Sequence, residues 1–303
     1  MAPIYSAPMP SSEIKKLAKI VHDEMYSIEN TLKRRGYIYA GEGQLDNILL
    51  PKNASNVDKY FFYMGSCTFR KLLKKMVGKN TGISYDEFEK DCGTAKRTEY
   101  LDFLVQSGIL SKDNSGFYNL AVNVNDYGHT LEWYVSELFK RELGCTSAWG
   151  VAVEAVGAGG DFDVLARIES QLAYVETKCS TPNKISTSDV CHFLQRDQDL
   201  DPDISIFLID TEDDISELIA RFEDVMTPTI ARDSNIKDSN FHYRIEQLSD
   251  FGNINHFLRR VFLINSKPSI LTNIRYCLNY YFAIVTHSIY ASRSRRMDFV
   301  PKT

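Results

Sequence analysis

Apolar residues recur at three- and four-residue intervals from residue 12 to 35, through Ile14, Leu17, Ala18, Val21, Met25, Ile28 and Leu32, and Gly36 follows. That period predicts an amphipathic docking or dimerisation helix closed by the glycine. Residues 41–58, rich in Gly, Asn and Pro, read as a loop. Beyond it Phe69, Leu72, Leu73 and Met76 form a helical stripe, Ser84 and Glu87 have capping-box spacing at the start of a second helix, and Thr94 is placed to cap a third. That third helix should turn Leu101, Leu104 and Val105 inward. Ile109 and Leu110 then lead into the turn signal Lys112-Asp113-Asn114-Ser115-Gly116 and a strand-like 117–120. Three helices and a hairpin over 59–125 follow the order of a winged helix-turn-helix, either a reader of nucleic acid or a spacer and protein contact.

After residue 126 the period changes. A helical stripe over 131–143 precedes strand-like 151–156, a glycine-rich turn at 157–160, strand-like 161–168 and 172–179, a helix from 188 to about 200, and the wholly apolar strand pattern of 204–209. Helix, three strands, helix, strand predicts an α/β unit with a mixed sheet flanked by helices. A helix near 215–226, a strand at 261–264 and a long helix from about 270 to 290 extend it, so the chain divides into 1–58, 59–125 and 126–303.

Composition narrows the class. The 303 residues, 44% hydrophobic and 25% charged, are ordinary globular usage and exclude disorder, collagen-like repeats and coiled coils. Six cysteines at 67, 92, 145, 179, 191 and 277 contain no CxxC pair, so reduced thiols in a cytoplasmic protein are expected rather than structural zinc. Residues 1–12 lack the charged start and apolar run of a secretory signal. The greasiest segment, 276–291, is interrupted by Asn279, Thr286, His287 and Ser288 and is too short and polar for a bilayer span. A net charge of -5 argues against a protein that coats nucleic acid non-specifically, while leaving room for a local basic groove. Residues 60–125 hold nine basic residues against seven acidic ones, a thin excess for a DNA reader. Lys96 and Arg97 nonetheless start the third helix, where such a reader aims side chains at the major groove. Residues 197–224 hold eleven acids against the single base Arg221 and are expected to face solvent or a partner, while Arg293, Arg295 and Arg296 form a basic tail.

The chemistry concentrates in the two strands after the glycine-rich turn. If they form a hairpin closed by a two-residue turn at Glu169-Ser170, paired residue numbers sum to 339 and Asp163 stands opposite Glu176. Opposed side chains emerge on one face with Cβ atoms about 5 Å apart, near enough for both carboxylates to hold one divalent cation. Lys178 shares that face because alternate strand residues point the same way. The neighbours Val164, Leu165, Ala166, Leu172, Ala173, Tyr174 and Val175 leave little polar surface, so charges here call for a reason. Two carboxylates beside a lysine suit a magnesium or manganese ion that polarises a phosphate, with the ammonium orienting or helping to deprotonate the attacking water. On the preceding helix Glu132 sits at the margin of the apolar stripe and Glu137 well outside it, so Glu132 is better placed to reach a cleft. Gln195 and Arg196, on the helix after the lysine strand, are placed to touch a phosphate near the metal. No GKS or GKT follows the 157–160 turn, which is therefore no phosphate loop, and the six histidines form no ligand cluster by spacing.

Leu131-Glu132 on a helix, Gly160-Asp161-Phe162-Asp163-Val164-Leu165 on one strand and Val175-Glu176-Thr177-Lys178 on the next resemble the PD-(D/E)xK, or restriction-endonuclease-like, nuclease superfamily. The phrasing is close to the nuclease module of CRISPR ancillary nucleases, in which a winged helix precedes the nuclease. The resemblance covers about 59–209 and is strongest over 130–180. It implies a metal-dependent endonuclease acting on DNA or RNA, in prokaryotic antiviral defence. Asp163, Glu176 and Thr177 would hold Mg2+ or Mn2+, Lys178 would serve the water, and Glu132 would support the metal through water. Those nucleases carry a further domain that binds cyclic oligoadenylate ahead of the winged helix. Roughly sixty residues stand there in this chain, too few for such a fold, which leaves a nucleotide effector open. The competing expectation is a non-catalytic winged-helix protein for nucleic-acid binding, regulation or assembly, and a homodimer is expected in either case.

Overall fold

A computed structural model describes residues 26–297, apart from 78, 80, 81, 90, 91, 125, 155–159, 239 and 249–253, and describes only the backbone of 46 and 285–297. The 14–25 part of the first expected helix and positions 157–159 of the glycine-rich turn lie outside the described residues. The chain begins with α1 (Ile28–Arg34), whose N-cap Ser27 accepts from the Asn30 N–H. Gly36, at φ 88, closes the helix as expected. The expected 41–58 loop runs between β1 (Ile38–Gly41) and α2 (Val57–Met64), which overlap only its ends, and carries two 3-10 turns, Leu45–Asn47 and Ala54–Asn56.

Next come α3 (Cys67–Met76), a 3-10 turn (Tyr85–Phe88), α4 (Thr94–Gln106), and a hairpin of β2 (Leu110–Lys112) and β3 (Tyr118–Leu120). The Ser84/Glu87 capping box forms, but it opens only that one 3-10 turn. Gly93, rather than Thr94, is the N-cap of α4. Leu101 and Leu104 are fully buried there, whereas Val105 is 36% exposed, one position off the inward stripe.

The large sheet follows. After α5 (Gly128–Glu142) come β4 (Thr146–Glu154), β5 (Phe162–Ile168), β6 (Gln171–Lys178), α6 (Thr187–Leu200) and β7 (Ile204–Ile209). α7 (Ser216–Asp233), the short strands β8 (Glu246–Gln247), β9 (Ile254–Phe257) and β10 (Val261–Ile264), and α8 (Ile270–Met297) complete the described chain. The eight strands lie in the order β1-β4-β5-β6-β7-β10-β9-β8. β6, β7 and β10 run parallel and the remaining neighbours antiparallel, which makes the sheet mixed. β4 starts at Thr146, five residues before its apolar run at 151.

Alternation divides the sheet into two apolar faces. Val164, Ala166, Val175, Ile206 and Leu208 face α5 and α8, while Leu165, Leu172, Tyr174, Phe207 and Ile209 face α6, α7 and α1. The first of these cores continues without a break into the interior of the 57–124 helices and hairpin. Tyr280, Tyr281 and Phe282 pack half-buried against the first of these cores. The acidic stretch is also corrected in part, because Asp197, Asp210 and Glu223 are buried and paired with Arg260, Arg70 and Arg244. Among the described residues no helix is long and apolar enough to cross a membrane.

Candidate functional site

The β5–β6 hairpin has the register that its two-residue turn predicts. Val164 pairs with Val175, Leu165 with Tyr174, Ala166 with Ala173, Arg167 with Leu172 and Ile168 with Gln171, each pair summing to 339. Glu169 takes the left-handed conformation in the turn, at φ 55. Continued one step beyond Val164 and Val175, at the end away from the turn, the same register sets Asp163 opposite Glu176. The Thr177 N–H donates to Asp163 Oδ2 at 2.7 Å and the Thr177 hydroxyl to the same oxygen at 3.2 Å. Thr177 therefore fixes Asp163 through two donors.

Glu176 is 2% exposed and fully engaged. Its Oε1 meets Lys178 Nζ at 3.0 Å, and its Oε2 accepts from the Tyr174 hydroxyl and, at 3.1 Å, from Arg196 Nη1. Arg196 comes from α6, and so does Asp189, which lies 3.4 Å from Lys178 Nζ. Asp189 is fixed by its capping box with the N-cap Ser186. Tyr174 and Asp189 were not singled out in the sequence. The signals were present, since Tyr174 shares a strand face with Glu176 and Ser186-x-x-Asp189 is a helix-start pattern.

Glu132, buried on α5, completes the acidic group. A Cβ at Gly150 would lie 3.9 Å from Glu132 Oε2, and Gly150 is the neighbour in β4 of Trp149, which pairs with Val164. Burial first, then the charges of Asp163 and Glu176, push the Glu132 carboxyl above the usual carboxylate range. Burial first, then Glu176, likewise raises Asp163, against the opposing pull of the Thr177 N–H, Lys178 and Arg196. For Lys178 burial alone would lower the ammonium, but Glu176 with its hydrogen bond, then Asp163 and Asp189, outweigh it and hold the group above its ordinary value. Lys178 is therefore protonated, and it orients water or stabilises charge rather than accepting a proton.

Among the described residues no three His, Cys, Asp or Glu side chains form a ready metal cluster. Mg2+ is usually held by one or two carboxylates, with waters and substrate phosphates filling the rest, and Asp163 with Glu176 fits that pattern. Burial is the first cause of both raised carboxyls, and the neighbouring acids add to it.

The remaining candidates separate. Gln195 is exposed and donates to Asp199 at 2.7 Å. Arg196 lies on Glu176, so its described contact is to the acid rather than to an incoming phosphate. Lys96 is exposed, but Arg97 is 4% exposed, stacks over the Tyr85 ring at 4.2 Å and donates to the Tyr85 carbonyl at 3.2 Å. Arg97 is thus a packing residue of its own module and is corrected as a nucleic-acid contact.

No protein-family model matches this chain, and no curated protein matches it. Among solved structures, protein VC1899 from Vibrio cholerae is similar at 18% identity and a TM-score of 0.37, over 66% of this chain and 56% of that one. The chain thus spans little more than half the length of that protein. The functional reading rests on the residues themselves.

Proposed function

We propose that the protein is a metal-dependent nuclease with a restriction-endonuclease-like core and a winged-helix-like N-terminal module, hydrolysing phosphodiester bonds in DNA or RNA. One observation carries the reading: the hairpin register brings Asp163 and Glu176 together beside a protonated Lys178, in strands otherwise almost wholly apolar. Asp163 and Glu176 would hold Mg2+ or Mn2+, which when bound polarises a phosphate and lowers the pKa of its water. Asp163 arrives with its orientation set by Thr177. Glu176 would share its carboxylate between the cation and Lys178, whose ammonium would orient the attacking water. Glu132 would support the cation through water, its carboxyl favouring the protonated form until a cation offsets the charges of Asp163 and Glu176. A homodimer belongs to the same proposal.

A second reading has its own support. Glu176 is already ion-paired with Lys178 and Arg196 and accepts from the Tyr174 hydroxyl, as it would in a purely structural ionic cluster of a non-catalytic assembly protein. Incubation with single- and double-stranded DNA and RNA in chelator, then in magnesium or manganese, separates the two. The proposal expects cleavage only with metal and none from Asp163→Asn protein. Equal cleavage by that variant, or none by the wild type on any substrate, would leave the structural reading.

A further inference from the structure

Beside the acidic group lies a cavity of about 480 Å³ whose wall includes Gln44, Asn47, His129, Trp149, Gly150 and Asp161. It adjoins the candidate site on two sides. Gly150 is the residue whose Cβ would stand 3.9 Å from Glu132 Oε2, and Asp161 precedes Asp163 by two residues. The wall depends on close backbone approach. The Gly43 N–H donates to the Trp149 carbonyl at 2.8 Å, and a Cβ at Gly43 would fall 2.2 Å from the Trp149 ring.

The chemistry of this lining selects its occupant. Among the described residues its lining holds no Lys or Arg, and Glu42 and Asp161 add negative charge, so a phosphate is repelled. What remains is an aromatic pair with amides around it. The His129 and Trp149 rings lie 6.1 Å apart, and Asn47 Nδ2 lies 3.4 Å from His129 Nδ1. An amide nitrogen only donates, so His129 Nδ1 accepts from Asn47 and Nε2 is left as a donor in a lining that also holds the acceptors of Glu42 and Asp161. Trp149 is 7% exposed with Gly43 against its ring, so the half-buried His129 ring supplies the open aromatic surface, and aromatic surface with mixed donors and acceptors is how proteins hold an unstacked base. The volume lies in the range of small-ligand sites.

An independent feature points the same way. Leu45 is 62% exposed in the 3-10 turn Leu45–Asn47, directly beside the lining residue Gln44. Proteins that unstack nucleic acid insert apolar side chains of this kind between base steps.

We propose that this cavity is a nucleobase subsite: it takes one base lifted out of the stack next to the scissile phosphate, with Leu45 as the wedge that fills the vacated step. The inference rests on the nuclease reading and narrows its substrate to single strands or to positions where a base is extruded. It predicts that base identity beside the cut is sensed by Gln44, Asn47 and His129 rather than by the 57–124 module.

The test uses the full chain carrying Asp163→Asn to block cleavage, and a short single strand in which 2-aminopurine is placed at each position in turn. At one position the probe should change its fluorescence on binding, and an abasic residue there should weaken binding about tenfold, the scale of one stacked base. Leu45→Ala and His129→Ala, each added to Asp163→Asn, should reduce the fluorescence change while the thermal midpoint stays put. Leu45 is exposed, so its variant tests the wedge without touching the core. Binding that is indifferent to abasic residues at every position, in a protein whose wild type still cleaves with metal, would overturn the subsite and leave the nuclease reading standing. Absence of metal-dependent cleavage by the wild type on every nucleic acid would overturn both.

Discussion

Replacing Asp163 by Asn should make the metal-free protein more stable while abolishing cleavage. The register sets Asp163 against Glu176, so their charges lie on the order of 5 Å apart. At an effective dielectric of about 20, two like charges at that distance repel by about 3 kcal/mol. Lys178 and Arg196 offset part of this. We therefore expect a gain of about 1–2 kcal/mol, or about 2–6 °C in the unfolding midpoint for a chain of this size. The carboxamide oxygen still accepts from the Thr177 N–H and hydroxyl, so no hydrogen bond is lost. The pH dependence has a definite sign. A carboxyl whose folded pKa is raised contributes stability that is present below its ordinary range and lost as pH climbs through the raised value. In chelator the wild type should lose stability from mildly acid through neutral pH, and the variant should lose less. Thermal unfolding followed by circular dichroism, across that range and with or without manganese, reads both effects. Manganese should lift the wild-type midpoint and leave that of the variant nearly still. An Asp163→Asn protein less stable than wild type at alkaline pH in chelator would refute the charge-clash reasoning, whatever its activity.

Lys178→Met should slow cleavage by about 10²–10³, the usual scale for loss of one positioned charge-stabilising donor, while manganese affinity by calorimetry is kept or improved because Glu176 loses a competing cation. Arg97→Ala should cost about 1–3 kcal/mol through its lost stacking and hydrogen bonds, measured by urea unfolding, and leave the salt dependence of nucleic-acid binding where it was. Arg70→Met leaves Asp210 buried and unpaired and should cost about 3–5 kcal/mol. Adding Asp210→Leu should recover most of that loss, and a double variant as unstable as the single one would contradict the assignment.

The candidate site was legible where local rules leave one solution. A two-residue turn between two apolar runs permits one register, and that arithmetic alone sets Asp163 against Glu176. Glu132 followed from helical periodicity. What the sequence hid depends on contacts between distant elements. Arg97 begins a helix as a DNA-reading arginine would, and only the fold brings the Tyr85 ring under its guanidinium. Of the acids in 197–224, nothing local distinguishes Asp210, whose partner Arg70 is 140 residues away in sequence, from exposed Glu212. β1 has four residues with a burial pattern half open to solvent, and its identity as a strand comes from pairing with β4 rather than from its own alternation.

The same long-range contacts show why the 57–124 module is more than an attached spacer. From α3, Arg70 donates to the Met64 carbonyl at 2.7 Å and to Asp210 Oδ1 at 3.0 and 2.8 Å, all in the interior. The Asp210 N–H in turn donates to the Lys178 carbonyl at 2.8 Å, at the end of the strand that carries the lysine. On α2 the Tyr60 ring lies 5.9 Å from that of Trp133, the residue after Glu132. Separating the module would expose this shared core and strand a buried acid beside Lys178, a cost comparable to the whole stability of an ordinary domain. Two of the four proposed catalytic side chains are thus held in place by residues outside the motif that identifies them. The short D...ExK pattern recurs by chance in many chains, and its meaning in this one comes from the burial and pairing that the remainder of the fold imposes on it.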